Sequence, residues 1–139
     1  MTGSCRMLAA LFAAALPLHA AVRWDFDGTA TPAGAELALK SGKPAFVATD
    51  TGKGLAPGTQ LDWADAPQLR LRPEIEIRCR FRLDNLREGV QILATKDGEY
   101  LLRVDWAKEG GHLSFFVQVE GKWESRLRGP VVEAGVWYD

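Results

Sequence analysis

Leu69-Arg70-Leu71-Arg72-Pro73-Glu74-Ile75-Glu76-Ile77-Arg78-Cys79-Arg80-Phe81-Arg82-Leu83 is the run whose reading decides the fold. Apart from Pro73, every odd position is apolar and every even position is charged. A period of two puts one kind of side chain on each face of a β-strand, whereas a helix would scatter both kinds around its circumference. Pro73 has no N–H to give a ladder, so the run is expected to split into a short lead-in and a main strand over 74–83. Burying its odd side chains contributes roughly 1.5–3 kcal/mol for each large one. That fixes the register, because a slip of one residue would turn the arginines into the core.

The same period recurs on both sides of this run. Val22, Trp24 and Phe26 alternate with Arg23, Asp25 and Asp27. Short strands are expected over 36–40, 45–48 and 60–63, with an exposed glycine- and proline-bearing loop over 49–58. Downstream, 90–96 and 99–106 flank Asp97-Gly98, a strong hairpin signal because both residues tolerate positive φ. Leu113, Phe115, Val117 and Val119 alternate with Ser114, Phe116, Gln118 and Glu120, and Gly121-Lys122 turns the chain into 123–127. Gly129-Pro130 then leads to a last short run, Gly135-Val136-Trp137-Tyr138-Asp139. No amphipathic helix interrupts this series. Short strands separated by turn residues predict an all-β fold, an antiparallel sandwich or barrel.

The 139 residues suit one domain preceded by a leader. Residues 1–6 are short and carry one positive charge, 7–18 are apolar, and Leu18-His19-Ala20 offers a small-residue cleavage site. This is the layout of a secretory signal peptide over 1–20, leaving a mature domain over 21–139. About twelve apolar residues are too few for a span that needs roughly 20, so no membrane insertion is expected after cleavage. Export implies a secreted, extracellular or periplasmic protein, and a secreted domain held by a core without disulfide bridges is more typical of a bacterium.

Cleavage lowers Lys+Arg from 17 to 16 against 18 Asp+Glu. No basic excess favours nucleic acid. Cys79 and His112 are then the only Cys and His, so the mature domain has no internal disulfide, and Cys79, on the apolar side of its strand, is expected to be a buried, inert thiol.

The order of these pieces resembles the laminin G-like, concanavalin A-like lectin/glucanase family. The resemblance rests on Trp24-Asp25-Phe26-Asp27-Gly28, on Gly54-Leu55 through Leu61-Asp62-Trp63, and on 74–83. It continues through Ile92 to Leu102, Gly111-His112-Leu113-Ser114-Phe115 and Gly135-Val136-Trp137-Tyr138. It implies an antiparallel two-sheet jelly-roll sandwich whose outer surface takes ligands. It also implies further strands after Trp137, so the domain is expected to be a fragment, incomplete at its C-terminus, with unpaired edges and marginal stability.

Candidate chemistry follows from the residues. Glu74-Ile75-Glu76-Ile77-Arg78 resembles a glycosidase strand motif, but Arg78 stands where the second carboxylate belongs and cannot cycle a proton at neutral pH. His112 and Ser114 share a strand face, but no nucleophile-elbow motif accompanies them, and one His with one Cys makes no transition-metal site. No catalytic residue is therefore expected. The resemblance implies a possible Ca²⁺, for which Asp25, Asp27 and Asp50 are the oxygen-bearing candidates.

Arg78, Arg80 and Arg82 lie on one strand face about 7 Å apart and repel one another. Cross-strand acids such as Glu99, Asp105, Glu120 and Glu124 are the expected counterweight. The sharper alternative is an anionic glycan or carboxylate ligand, with Phe116 as a stacking platform. Trp24, Trp63, Trp106, Trp123 and Trp137 fall mostly on core-facing positions. By resemblance the expected role is non-catalytic recognition of carbohydrate or of a cell-surface protein. The alternatives are part of a polysaccharide-degrading enzyme, or a purely structural module of a larger surface protein.

Overall fold

The computed structural model describes residues 22–70, 75–86 and 89–139. The leader reading over 1–20 and the start of the main strand at 71–74 lie outside these residues. The described chain is all-β and antiparallel. Its strands are β1 (Leu39–Ser41), β2 (Phe46–Thr49), β3 (Gly52–Leu55), β4 (Asp62–Trp63) and β5 (Phe81–Arg82), then β6 (Gln91–Lys96), β7 (Tyr100–Val104), β8 (His112–Val119), β9 (Lys122–Val131) and β10 (Trp137–Tyr138). Two single-turn 3₁₀ segments, Pro67–Leu69 and Ala107–Glu109, are the helical elements. No helix among the described residues is long and apolar enough to cross a membrane.

The largest sheet is the meander β6-β7-β8-β9. Its turns follow from local chemistry. Glu120 and Gly121 both take positive φ, 50° and 78°, between paired Val119 and Lys122. Two left-handed residues match the right-handed twist of the flanking strands, which is why a two-residue loop closes here. Gly98, φ 73°, serves the β6–β7 turn, as Asp97-Gly98 predicts.

Alternation sorts the sheet into two faces. Tyr100, Leu102 and Val104 are buried and stand opposite Val117, Phe115 and Leu113. Leu101 and Arg103 stand on the other face, opposite Phe116 and Ser114, and Arg126 and Arg128 extend that face onto β9.

The core sits under the first face. Phe81, Val104 and Val132 are its buried centre, and Cys79, Leu83, Leu86, Leu93, Leu113 and Tyr138 pack around them. Phe81 stacks on Tyr138 at 5.4 Å between ring centroids. The segment 75–83 thus forms a second layer over the sheet. Its burial alternates as expected, apolar side chains inward and charged ones outward. Its ladder does not match expectation. Among the described residues of the strand expected over 74–83, only Phe81 and Arg82 pair, with Tyr138 and Trp137 of β10, so the long strand is corrected to a two-residue one and 75–80 make no ladder. The period of two reports which side is buried, and burial needs no ladder. A cleft of about 270 Å³, lined by Ile75, Glu76, Ile77, Leu102 and Phe115, separates the layers at the unpaired end.

The N-terminal half is built from small pairs, β1 with β4 and β2 with β3. β3 falls in the stretch expected to be a loop. Gly52-Lys53-Gly54-Leu55 has no apolar alternation to announce it, yet its backbone pairs fully with β2 from Thr49 to Phe46. Gly42, φ 95°, lets β1 approach Gln60 so closely that a Cβ there would lie 2.2 Å from the Gln60 carbonyl oxygen. A side chain at this position is therefore excluded on both counts. The two halves are tied by the Tyr100 hydroxyl, which donates to the Leu69 carbonyl at 2.9 Å, and by Lys96, 2.9 Å from Asp65.

The strand expected over 123–127 runs further, as β9, through Gly129-Pro130 to Val131. There β8 and β9 shift register between His112 and Ser114. Pro is tolerated because β9 is an edge strand among the described residues, where a missing N–H costs no ladder bond.

Candidate functional site

Arg78, Arg80 and Arg82 do project together from the outer side of 75–83, as alternation requires. Their partners are not the acids expected. Arg78 binds Glu76 at 2.7 Å, Arg80 binds Asp50 at 2.9 Å and Asp139 at 3.5 Å, and Arg82 lies 3.6 Å from Asp84. The expected acids go elsewhere: Asp105 to other arginines, and Glu99 to Lys96 at 3.0 Å.

The aromatic platform also differs. The ring under these arginines is Trp137, not Phe116. The Arg80 and Arg82 guanidinium carbons lie 4.9 and 5.3 Å from its centroid. The pairing of Trp137 with Arg82 places the indole on the arginine face. Stacking on an indole holds a guanidinium flat and leaves its N–H edges available. Beside this stack runs an open cleft of about 500 Å³ lined by Arg78, Cys79, Arg80 and Asp139. Arg78 is the most open of the three arginines, with 85% of its side chain exposed. Two guanidinium groups, Arg78 and Arg80, and the Asp139 carboxylate therefore line one cleft next to an aromatic ring.

Cys79 lines the base of this cleft and is half-buried, and burial pushes its thiol above the usual range. A neutral thiol is a poor nucleophile. In a Cys5→Ser chain, Cys79 is expected to react with a maleimide at pH 8 at least about tenfold more slowly than in the same chain unfolded in denaturant. Equal rates followed by mass spectrometry would refute the buried placement.

Phe116 belongs to a second cluster, on the outer face of the meander. Arg103 and Arg126 stack over its ring at 4.7 and 5.3 Å. Both also grip Asp105, which is 1% exposed. Arg103 Nε donates to Asp105 Oδ1 at 2.9 Å, while Oδ2 accepts from Ser114 Oγ at 2.7 Å and from Arg126 Nη2. Arg126 also donates to Ser114 Oγ, and Arg103 reaches Glu109 at 3.1 Å. Burial alone would raise the Asp105 carboxyl. The Ser114 and Arg103 hydrogen bonds and the two guanidinium charges outweigh it and hold the group below the usual carboxylate range.

Two arginines and two acids make this cluster charge-balanced, and both carboxylate oxygens of Asp105 are engaged. Its chemistry is that of a fixed structural network. Sequence reasoning placed Asp105 on the correct face but opposite the wrong arginines, because the pairing of β8 with β9 brings Arg126 in from far along the chain.

His112 Nδ1 lies 3.0 Å from the Gly129 carbonyl oxygen, and Ser114 is held by Asp105, so the two form no nucleophile–base pair. Asp25 pairs with Arg23, Asp50 pairs with Arg80, and Asp27 lies beside Gly52. The three candidate Ca²⁺ ligands are thus apportioned to separate neighbours, and among the described residues no three His, Cys, Asp or Glu side chains converge.

The tryptophans depart from the expected core placement. Trp106 and Trp123 are exposed, and Trp24, Trp63 and Trp137 are only partly buried. Trp24 and Trp63 meet at 5.0 Å, and Phe26, held at φ 53°, adds its ring at 6.4 Å from Trp63.

No protein-family model, curated protein or solved structure matches this chain.

Proposed function

We propose that this chain is a secreted, non-catalytic recognition module that binds carbohydrate along the face formed by Arg78, Arg80, Arg82, Trp137 and Asp139. The observation that carries the reading is the meeting of guanidinium groups and the Asp139 carboxylate beside the Trp137 ring, at an open cleft of about 500 Å³. Sugar hydroxyls are both donors and acceptors, so neighbouring Arg and Asp suit a vicinal pair, and an indole edge suits the apolar flank of a pyranose. The finer architecture belongs to the same proposal: a laminin G-like jelly roll, its two layers being the meander and the segment 75–83 with β10. The shared core of Phe81, Val104 and Val132 supports it. Export through the leader over 1–20 is consistent with a glycan ligand outside the cell.

One observation favours a second reading. Each arginine already has a carboxylate neighbour within the chain, which suits a salt-bridged structural module of a larger surface protein. A glycan array, probed with the chain with and without Ca²⁺, separates the two. The recognition reading expects saturable binding that weakens at least about tenfold in Arg78→Glu and in Trp137→Ala. Arg78 is so exposed that its replacement leaves folding intact. Absence of binding by a chain shown to be folded by circular dichroism would leave the scaffold reading in place.

A further inference from the structure

The charge of the Trp137 face is set by its ion pairs. Arg78, Arg80 and Arg82 meet four carboxylates, Glu76, Asp50, Asp139 and Asp84, so these groups together carry one negative charge in excess. Arg78 gives both Nε and Nη2 to one oxygen of Glu76, each at 2.7 Å. Arg80 is bracketed. Its Nη2 donates to Asp50 at 2.9 Å, its Nη1 to Asp139 at 3.5 Å, and its guanidinium lies over Trp137. Arg82 shares the same ring and lies beside Asp84. At Arg80 and Arg82 the acid is the more exposed member of each pair, Asp139 most of all at 74% against 37% for Arg80. An approaching molecule therefore meets carboxylate first at these two arginines.

Resting on the carbohydrate reading of this face, we propose that it selects neutral sugars and rejects acidic ones. A hydroxyl donates to an open oxygen of Asp139 and accepts from a guanidinium N–H edge without breaking a pair. The carboxylate of a uronic acid has no proton to give Asp139, and it meets the excess negative charge. To gain a guanidinium it must part Arg78 from Glu76, or Arg80 from two acids and an indole. The displaced carboxylate then stays beside it. Specificity of this kind comes from repelling the wrong ligand as well as attracting the right one. Because the groups are exposed, the repulsion falls as salt shortens the Debye length from about 20 Å in dilute buffer to about 4 Å at about 0.5 M.

The test titrates the full chain, by calorimetry in dilute and in concentrated salt, with tetrasaccharides of glucose, mannose and galactose. The same tetrasaccharides, oxidised at the terminal hydroxymethyl carbon of each ring to uronates, are the acidic arm. The neutral member of the pair that binds best is expected to bind at least about tenfold tighter than its uronate in dilute salt. In concentrated salt the gap should close to within about threefold, while the neutral sugar's own affinity moves less than about twofold. Glu76→Gln and Asp84→Asn, at positions 70% and 61% exposed, should each strengthen the uronate about threefold in dilute salt with the circular dichroism spectrum unchanged. Two outcomes overturn the selectivity and leave the recognition reading standing. One is a uronate that binds as tightly as its neutral parent in dilute salt, or tighter. The other is a gap that survives both salt and the two substitutions, which would make it a matter of shape. Silence of every sugar, here and on the glycan array, overturns both.

Discussion

Replacing Asp105 by Ala is expected to destabilise the fold by about 3 kcal/mol. The carboxylate is enclosed and is the common anchor for Arg103, Arg126 and Ser114. Removing it leaves two guanidinium groups against Phe116 without their shared counter-charge. The cost lies at the lower end for a broken buried ion pair, because Arg103 and Arg126 keep 18% and 26% of their side chains in solvent. Chemical denaturation measures it directly, and a loss below about 0.5 kcal/mol would mean the network is ornamental.

The same residue sets part of the acid response. The Asp105 carboxyl is held below its usual range in the folded chain, so in acid the unfolded chain binds the extra proton. The stability it contributes is complete above the unfolded value of about 3.9 and is lost as pH falls through the lower folded value. Asp105→Asn should flatten that limb of a stability–pH curve. It will not abolish the limb, since Asp65, lowered chiefly by its hydrogen bond from Lys96, responds in the same direction.

Phe81→Ala is expected to cost about 3–5 kcal/mol, enough to unfold a marginal domain at room temperature. Phe81 is 9% exposed, packs with Val104 and Val132 and stacks on Tyr138. The segment that carries it makes its strand pairing only at Phe81 and Arg82, so side-chain burial is what fastens this layer to the sheet. Phe81→Leu, which keeps most of the volume, should cost under about 1.5 kcal/mol. If both substitutions cost the same small amount by urea titration, the layer is held by something other than its buried ring.

These two residues mark what was legible in the sequence. Phe81 could be read as core from its own neighbours, because alternation is a property of adjacent positions. The meander could be read for the same reason: Asp97-Gly98 and Gly121 name their own turns. What adjacency does not encode is which distant strand arrives beside which. Arg126 reaches Asp105, and Trp137 reaches Arg80 and Arg82, only through pairings fixed by the whole fold. The arginine face was therefore foreseen, while its acids and its aromatic ring were assigned to the wrong neighbours. β3 escaped because Gly-Lys-Gly-Leu pairs through backbone alone, and β9 outran its expected end at Leu127 because an edge strand excuses the Gly-Pro pair that usually ends one.

The meander has a kinetic consequence. In β6-β7-β8-β9 each strand pairs with the next in sequence, through turns of two or three residues and one short 3₁₀ link. Such loops close at little entropic cost, so this half can nucleate on its own hairpins. The pairing of Arg82 with Trp137 must instead wait for the entire meander between them to be made. Amide exchange should accordingly protect β7 and β8 most strongly. β5 and β10 should open first, taking the arginine-lined cleft apart before the sheet beneath it loosens.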